Sequence, residues 1–430
     1  MTDSSGGAIR GRSFLRQSLV ICGGGNAAHA LAVVASRTFE GDIDWLVSTE
    51  EKAEVLRQGL AAGGLYSTGV ISGTADRVRR VSANPAEVIP NADIVLIVVP
   101  AFAHAHVFRR ITPYLDHETL LGCMPTRGGF EFDVTHVTRS HYGGLPPTIF
   151  GLQTLPWSTR VKALGREVHI GALKQEVFLA ALPAAKAPAI AARLSRILGT
   201  RVIPTQTLLG LTLGNPGQFI HSGLMYGHFH AWRGEEFDEA AIPMLYAEAS
   251  DETGEIVEEL SNEAIAIARR IEAESAGALD LLPAVLPIHE WLRSVYGHVT
   301  ADTSTVATCF RTGPIQARKA PMIQSRTGRF VPNFDYRYLS EDVPFGLVAT
   351  RALAEIAEVP TPTIDEVIMW AQGALREQYL VDGELRGADA RKLPIPQNYG
   401  ISTLSDLIDW YSNDDVRSAA SRARMSSVSL

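Results

Sequence analysis

Three side chains in the second half of the chain have the types needed to move a proton and hold an acid: His221, Arg337 and Asp342. An imidazole changes charge near neutral pH, so it serves as proton donor and acceptor once a neighbour fixes its tautomer. A carboxylate such as Asp342 is suited to that task. Arg337 carries a planar fork that meets a carboxylate in two hydrogen bonds. Each residue also has a plainer reading. His221 alone reads as a satisfied core histidine, and Asp342, just ahead of Pro344, reads as a helix cap. Spacing in the sequence does not bring the three together; only the fold does.

The elements that must position them are visible locally. His221 stands in the stretch Gly214-Asn215-Pro216-Gly217-Gln218-Phe219-Ile220-His221-Ser222-Gly223-Leu224-Met225-Tyr226-Gly227. Asn215 followed by Pro216 is a helix-start signal, an amide cap with proline in the first turn. A helix from there puts Phe219, Leu224 and Met225 at packing positions and projects His221 about a turn and a half inside. Small Ser222 and Gly223 leave room for another molecule to approach.

A second constellation lies near the N-terminus. The apolar run 18–22 leads straight into Gly23-Gly24-Gly25-Asn26-Ala27-Ala28, and an alanine-rich helical stretch follows. Strand, glycine turn and helix are the context of a dinucleotide fingerprint. Gly23 permits the tight turn, Gly25 lets backbone approach a pyrophosphate, and Ala28 lets helix and strand pack closely. Asn26 and Ala27 open the helix whose free N–H groups face the phosphates. The next strand, 43–47, ends at Ser48-Thr49-Glu50, the expected ribose end of the cofactor. Hydroxyls of Ser48 and Thr49 with Lys52 and Arg57 suit a 2′-phosphate, whereas Glu50 suits a 2′-hydroxyl, so NAD and NADP both stay open.

Strand-type runs continue at 93–100, 119–124, 149–155, 168–173 and 177–182, then a helix at 184–198 and a strand from Val202. Loops 101–106 and 125–130 leave carboxyl ends of strands, where ligands of open α/β sheets sit; His104 and His106 read as surface or loop residues. After Thr207 the pattern turns helical. The stretch 251–276 spaces Ile256, Leu260, Ala264, Ile267 and Ile271 by three and four, and further helices are expected near 288–296, 344–357, 364–379 and 404–410. Residues 307–331 read as an extended connection. The expected architecture is α/β plus all-α: a Rossmann-type doubly wound sheet over 17–206, then an α-helical substrate domain over 207–415, flanked by a loose tail at 1–16 and a polar tail at 416–430.

Bulk properties narrow the function classes. Hydrophobic residues at 46% and charged at 20% describe a globular protein, and a net charge of −8 without a long basic run excludes a nucleic-acid partner. Cys22, Cys123 and Cys309 form no CxxC pair, which fits a reduced, cytoplasmic protein without a metal. No apolar run is long enough to span a membrane, and the first 16 residues lack the apolar segment of a secretion signal. A monomer or homodimer is expected.

Over nearly its whole length the chain resembles the octopine/nopaline (opine) dehydrogenase family. The matching pieces are Gly23 to Ala28, Gln153-Thr154-Leu155-Pro156-Trp157, the His221 helix with Met225-Tyr226-Gly227, and the stretch Tyr336 to Leu347; Val359-Pro360-Thr361-Pro362-Thr363-Ile364-Asp365 supports them. The resemblance implies a Rossmann domain and a helical domain with substrates in the cleft between. It implies NAD(P)H-dependent condensation of an amino acid's amine with a 2-oxo acid, often pyruvate, and reduction of the imine. His221 is then the proton donor and acceptor, Asp342 its partner, and Arg337 the anchor of the 2-oxo acid carboxylate. Gln153 and Thr159 are expected to meet substrate, as is Arg127, in a loop that helps select the amine. Ser158-Thr159 stand where arginine-using members carry a cysteine, which speaks against arginine here. Two other readings stay in view: a dehydrogenase of simple 2-oxo or hydroxy acids without an amine, and a cofactor-sensing protein without turnover.

Overall fold

The computed structural model describes residues 17–142 and 147–412; the tails expected at 1–16 and 416–430 lie outside the described residues. Eight strands make the main sheet: β1 (Ser18–Cys22), β2 (Asp42–Leu46), β3 (Val78–Ser82), β4 (Ile94–Ile97), β5 (Leu120–Cys123), β6 (Ile149–Leu152), β7 (Glu176–Leu182) and β8 (Arg201–Pro204). Their spatial order is β3-β2-β1-β4-β5-β6-β7-β8. All neighbours are parallel except β6 and β7. This is the doubly wound order with its switch point between β1 and β4, where ligands of such sheets bind. Ile94, Val95, Leu96 and Ile97 of β4 are all buried, because helices cover both faces.

The sequence reading of a strand over 93–100 is too long. After Ile97 the backbone of Val98 still pairs with Cys22, but Pro100 has no N–H for a ladder, and the chain turns into a short 3₁₀ segment at Ala101–Ala103. A second sheet, not foreseen as a unit, joins Tyr66–Gly69, Gly73–Thr74, Trp157–Ala163 and Glu167–Leu173. Two of its strands are short and polar, so no apolar alternation marks them.

Beyond β8 the chain is mostly helical. The 24-residue helix Asp251–Glu274 is capped by Ser250 and buries Val257, Leu260, Ala264, Ile267 and Ile271. It is the packing partner of the helix Pro216–Phe229. A Cβ on Gly223 would sit 2.5 Å from Val257, and one on Gly227 would sit 2.2 Å from Thr253. The small residues after His221 therefore admit a neighbouring helix, where a ligand was expected. Phe219, Leu224 and Met225 are buried in this core as expected. Residues 306–312 are a helix rather than extended, because Thr305 and Thr308 form a reciprocal capping box; a hairpin of Met322–Gln324 and Phe330–Pro332 follows. Among the described residues no helix is long and apolar enough to cross a membrane.

Candidate active site

The helix carrying His221 starts as its first residues dictate. Asn215 is the cap, its side-chain oxygen accepting from the N–H of Gly217, with Pro216 in the first turn. The same amide ties the helix to the sheet by donating to the carbonyls of Gln153 at 3.0 Å and Thr126 at 3.3 Å. His221 is thereby aimed into a cleft of about 380 Å³ lined by Gly25, Ala27, Arg127, Thr159, Arg337 and Glu341, among others. Its ring stacks on Tyr338, centroids 3.9 Å apart, and its Nδ1 lies 2.8 Å from Asp342 Oδ2. Nδ1–H donates to that carboxylate, which leaves Nε2 for the cleft.

Asp342 reaches His221 because its segment ends a short helix, Arg337–Ser340, and turns through a π-helical stretch, Val343–Leu347. It precedes that stretch but makes no capping hydrogen bond; its side chain goes to the imidazole and to Arg127. Arg127 Nη1 stands 2.6 Å from Asp342 Oδ1 and donates to Asn215 at 2.9 Å, while its Nε is 3.5 Å from Glu341. A Cβ on Gly217 would crowd both partners of the ion pair at 2.9 Å, so glycine makes room for it. Burial alone would raise the Asp342 pKa, but Arg127 and His221 outweigh it and hold the carboxyl below its ordinary value. For His221 burial is the largest influence, and the pKa falls below the ordinary histidine value although Asp342 opposes the shift. The free imidazole is therefore mostly neutral at pH 7.

Arg337 sits on the cleft wall with its side chain 38% exposed and its Nε 3.4 Å from Glu341. Glu341 in turn accepts from the N–H of Ala101, linking this wall to the end of β4. Arg127, expected to meet substrate, lines the cleft, with its guanidinium buried against two carboxylates and Asn215. Gln153 is also buried, donating to the carbonyl of Ala284 at 2.8 Å, with its side-chain oxygen unpaired at the cleft. Thr159 lines the cleft on the second sheet.

The glycine loop has the shape a dinucleotide needs. Gly23 has φ +143°, and a Cβ there would meet the Val98 carbonyl at 2.2 Å. A Cβ on Gly25 would meet nothing within 4 Å, so open space stands where a pyrophosphate fits above the first turn of the helix Asn26–Thr38. Ala28 is fully buried against the sheet. Asn26 and Ala27 face the cleft, and the Asn26 side chain accepts from the N–H of Val161, which ties the loop to the second sheet. A second groove of about 400 Å³ continues from Gly25 past Val47, Ser48 and Lys52 and suits the adenosine half. Ser48 lines it. Thr49 does not: its hydroxyl caps the next helix by accepting from Lys52, a use that the Thr49-Glu50-Glu51 pattern predisposes. Glu50 is paired with Arg57.

Sequence reasoning missed three residues at this site. Tyr338 under the His221 ring and Glu341 behind Arg337 lie inside a stretch already singled out, so helical spacing from Arg337 was a usable signal. Lys174, buried on the cleft wall, carried none. His104, expected at the surface, is 3% exposed, with Nε2 3.3 Å from the Val99 carbonyl and 3.2 Å from the Cys123 sulfur. Among the described residues no group of three or more His, Cys, Asp or Glu is placed to hold a metal.

Comparison with known proteins agrees with this geometry. Residues 204–375 match the family described as NAD/NADP octopine/nopaline dehydrogenase, alpha-helical domain. The chain is 32% identical over 402 residues to tauropine dehydrogenase of Arabella iricolor, covering 91% of this chain and 99% of that one. It is 31% identical to the opine dehydrogenase of Haliotis discus hannai, covering 91% and 98%. The structure of an octopine dehydrogenase with NADH and pyruvate superposes with a TM-score of 0.77 at 27% identity, covering 91% of this chain and 98% of that one.

Proposed function

The chain belongs to the opine dehydrogenase family, NAD(P)-dependent oxidoreductases acting on the CH–NH bond of secondary amines, and from that premise we propose how its own residues carry the reaction. The substrates are an amino acid and a 2-oxo acid, with pyruvate the first choice because a related octopine dehydrogenase holds it. The product is an N-(carboxyalkyl)amino acid, and the reverse oxidation uses the same groups. The observation that carries the assignment is the His221 Nδ1–Asp342 Oδ2 contact of 2.8 Å on a cleft that the glycine loop and Arg337 also line.

Arg337 holds the 2-oxo acid carboxylate in its exposed fork. His221 Nε2, neutral in the free protein, takes a proton from the amino acid's ammonium. The freed amine attacks the carbonyl carbon to give a carbinolamine, and the imidazolium returns that proton to the departing oxygen so that water leaves and a protonated imine remains. Asp342 fixes the tautomer and stabilises the imidazolium, and Arg127 with Asn215 keeps Asp342 in place. Tyr338 holds the ring plane by stacking. The nicotinamide, when bound, supplies hydride to the carbon of the protonated imine. Gly23, Gly25, Asn26 and Ala27 would cradle its pyrophosphate, Ala28 packing the helix start against the sheet, and Ser48 would face the ribose. We read the division into two domains near residue 206 as the origin of the cleft, supported by the end of the sheet at Pro204 and the helices beyond it. Three free, buried cysteines support a reducing, cytoplasmic setting.

The test is NAD(P)H oxidation with pyruvate alone, with each of a panel of amino acids alone, and with both together. The proposal expects turnover only with both, and a secondary amine as product. Equal turnover with pyruvate alone would make the protein a simple 2-oxo acid reductase.

A further inference from the structure

Beside His221 a smaller pocket of about 110 Å³ opens from the cleft. Its apolar wall includes Trp291, Leu292, Tyr296, Phe310 and Ile315, and no carboxylate is among its lining residues. Lys174 and His221 line both the pocket and the cleft, so they stand at its mouth. The Lys174 side chain is buried, yet among the described residues it has no carboxylate partner; its Nζ donates to the Leu155 carbonyl at 2.6 Å and lies 5.8 Å above the Tyr296 ring. Among the described residues its other two N–H groups meet no acceptor. The cleft's carboxylates, Glu341 and Asp342, are engaged with Arg127, Arg337 and His221.

Resting on the family reading above, we propose that this pocket receives the side chain of the amine substrate, an aliphatic α-amino acid, and that Lys174 holds its carboxylate. An α-amino acid branches at one carbon into amine, carboxylate and side chain. The groups that meet those three branches must therefore adjoin, and His221, Lys174 and the apolar wall do. Burial without a counter-charge pulls the Lys174 pKa down to about 7, and a substrate carboxylate supplies the missing charge. Size sets the side chain. A water occupies about 30 Å³ and an apolar cavity of about 150 Å³ admits benzene, so this pocket takes roughly four heavy atoms, the measure of leucine, isoleucine or methionine. A guanidinium there would be desolvated with no anion to pair it.

Steady-state kinetics with pyruvate and the preferred reduced cofactor test this, using L-leucine, L-arginine, taurine and 3-methylbutylamine, which is leucine without its carboxylate. L-leucine is expected to exceed L-arginine and taurine in kcat/KM by at least about 100-fold. Lys174→Met is expected to raise the KM for L-leucine by about 10- to 100-fold, the loss of one charged hydrogen bond, while leaving KM for pyruvate and for 3-methylbutylamine unchanged. Ile315→Trp, which narrows the pocket and keeps Lys174 in the chain, is expected to shift preference from leucine to alanine. Arginine or taurine matching leucine overturns the proposal. So does a Lys174→Met effect on pyruvate, or one equal for leucine and 3-methylbutylamine. If no amine supports cofactor oxidation with pyruvate, the reductive condensation itself is refuted, a different outcome from a wrong amine.

Discussion

His221 and His104 are both imidazoles enclosed by protein, yet they face different partners. His104 meets a backbone carbonyl and a thiol, and burial pulls its pKa down to about 4. His29 is similar: it bridges the Gly25 carbonyl and the N–H of Gly165, and burial likewise brings it to about 4. Neither takes up a proton near neutral pH. His221 is opposed by a buried carboxylate that itself leans on an arginine, and it keeps one nitrogen toward a cleft. The lesson is that enclosure makes a histidine structural, whereas a charged partner and an open side make it a proton carrier.

That comparison can be broken in several ways, taken from the largest expected effect downward. Gly25→Val puts a branched side chain into the open space above the helix start, so NAD(P)H binding should vanish while the circular dichroism spectrum is retained. Unchanged cofactor affinity in the folded variant would remove the nucleotide site from Gly25. Asp342→Asn should lower turnover by about 10²–10⁴-fold, because the imidazole loses its orienting charge; full activity would show the pair to be ornamental. Arg337→Ala should raise the KM for the 2-oxo acid by about 10–100-fold, the worth of a charge-assisted hydrogen bond, with the amine KM little changed, and Arg337→Lys should rescue it poorly for want of a fork.

The enclosed histidines affect stability and leave turnover alone, with a definite sign. With folded pKa values of about 4 against about 6.5 unfolded, the unfolded chain binds more protons between those limits. Stability is then full above about pH 6.5 and falls by about 3 kcal/mol per histidine as pH drops to about 4. Denaturant melts across that range should show the slope, and His29→Gln should flatten part of it. A slope unchanged in that variant would mean that other groups carry it.

The parts legible in the sequence were those whose signals are local. The turn at Gly23, the cap at Asn215 and the helix Asp251–Glu274 each depend on neighbours within a few residues, so residue type predicted them. The ion pairs of Arg127 were not foreseen, and His104 was misread, for the opposite reason. Their surroundings come from other segments, Asp342 and Asn215 in one case, Cys123 on the next strand in the other, and loop position says nothing of burial. Thr49 shows a third case, in which one hydroxyl suited two tasks and the helix start claimed it. Lys174 was silent because its only marks are a carbonyl and a ring brought to it by folding.

The most direct test of the central claim is turnover of His221→Ala measured beside its NAD(P)H affinity and melting temperature. The account predicts a loss of about 10²–10⁴-fold in turnover, with cofactor affinity retained and the fold intact, because Nε2 is the group that carries the proton to the departing oxygen. Near-normal turnover in a folded, cofactor-binding His221→Ala protein would contradict it and return His221 to the same class as His104.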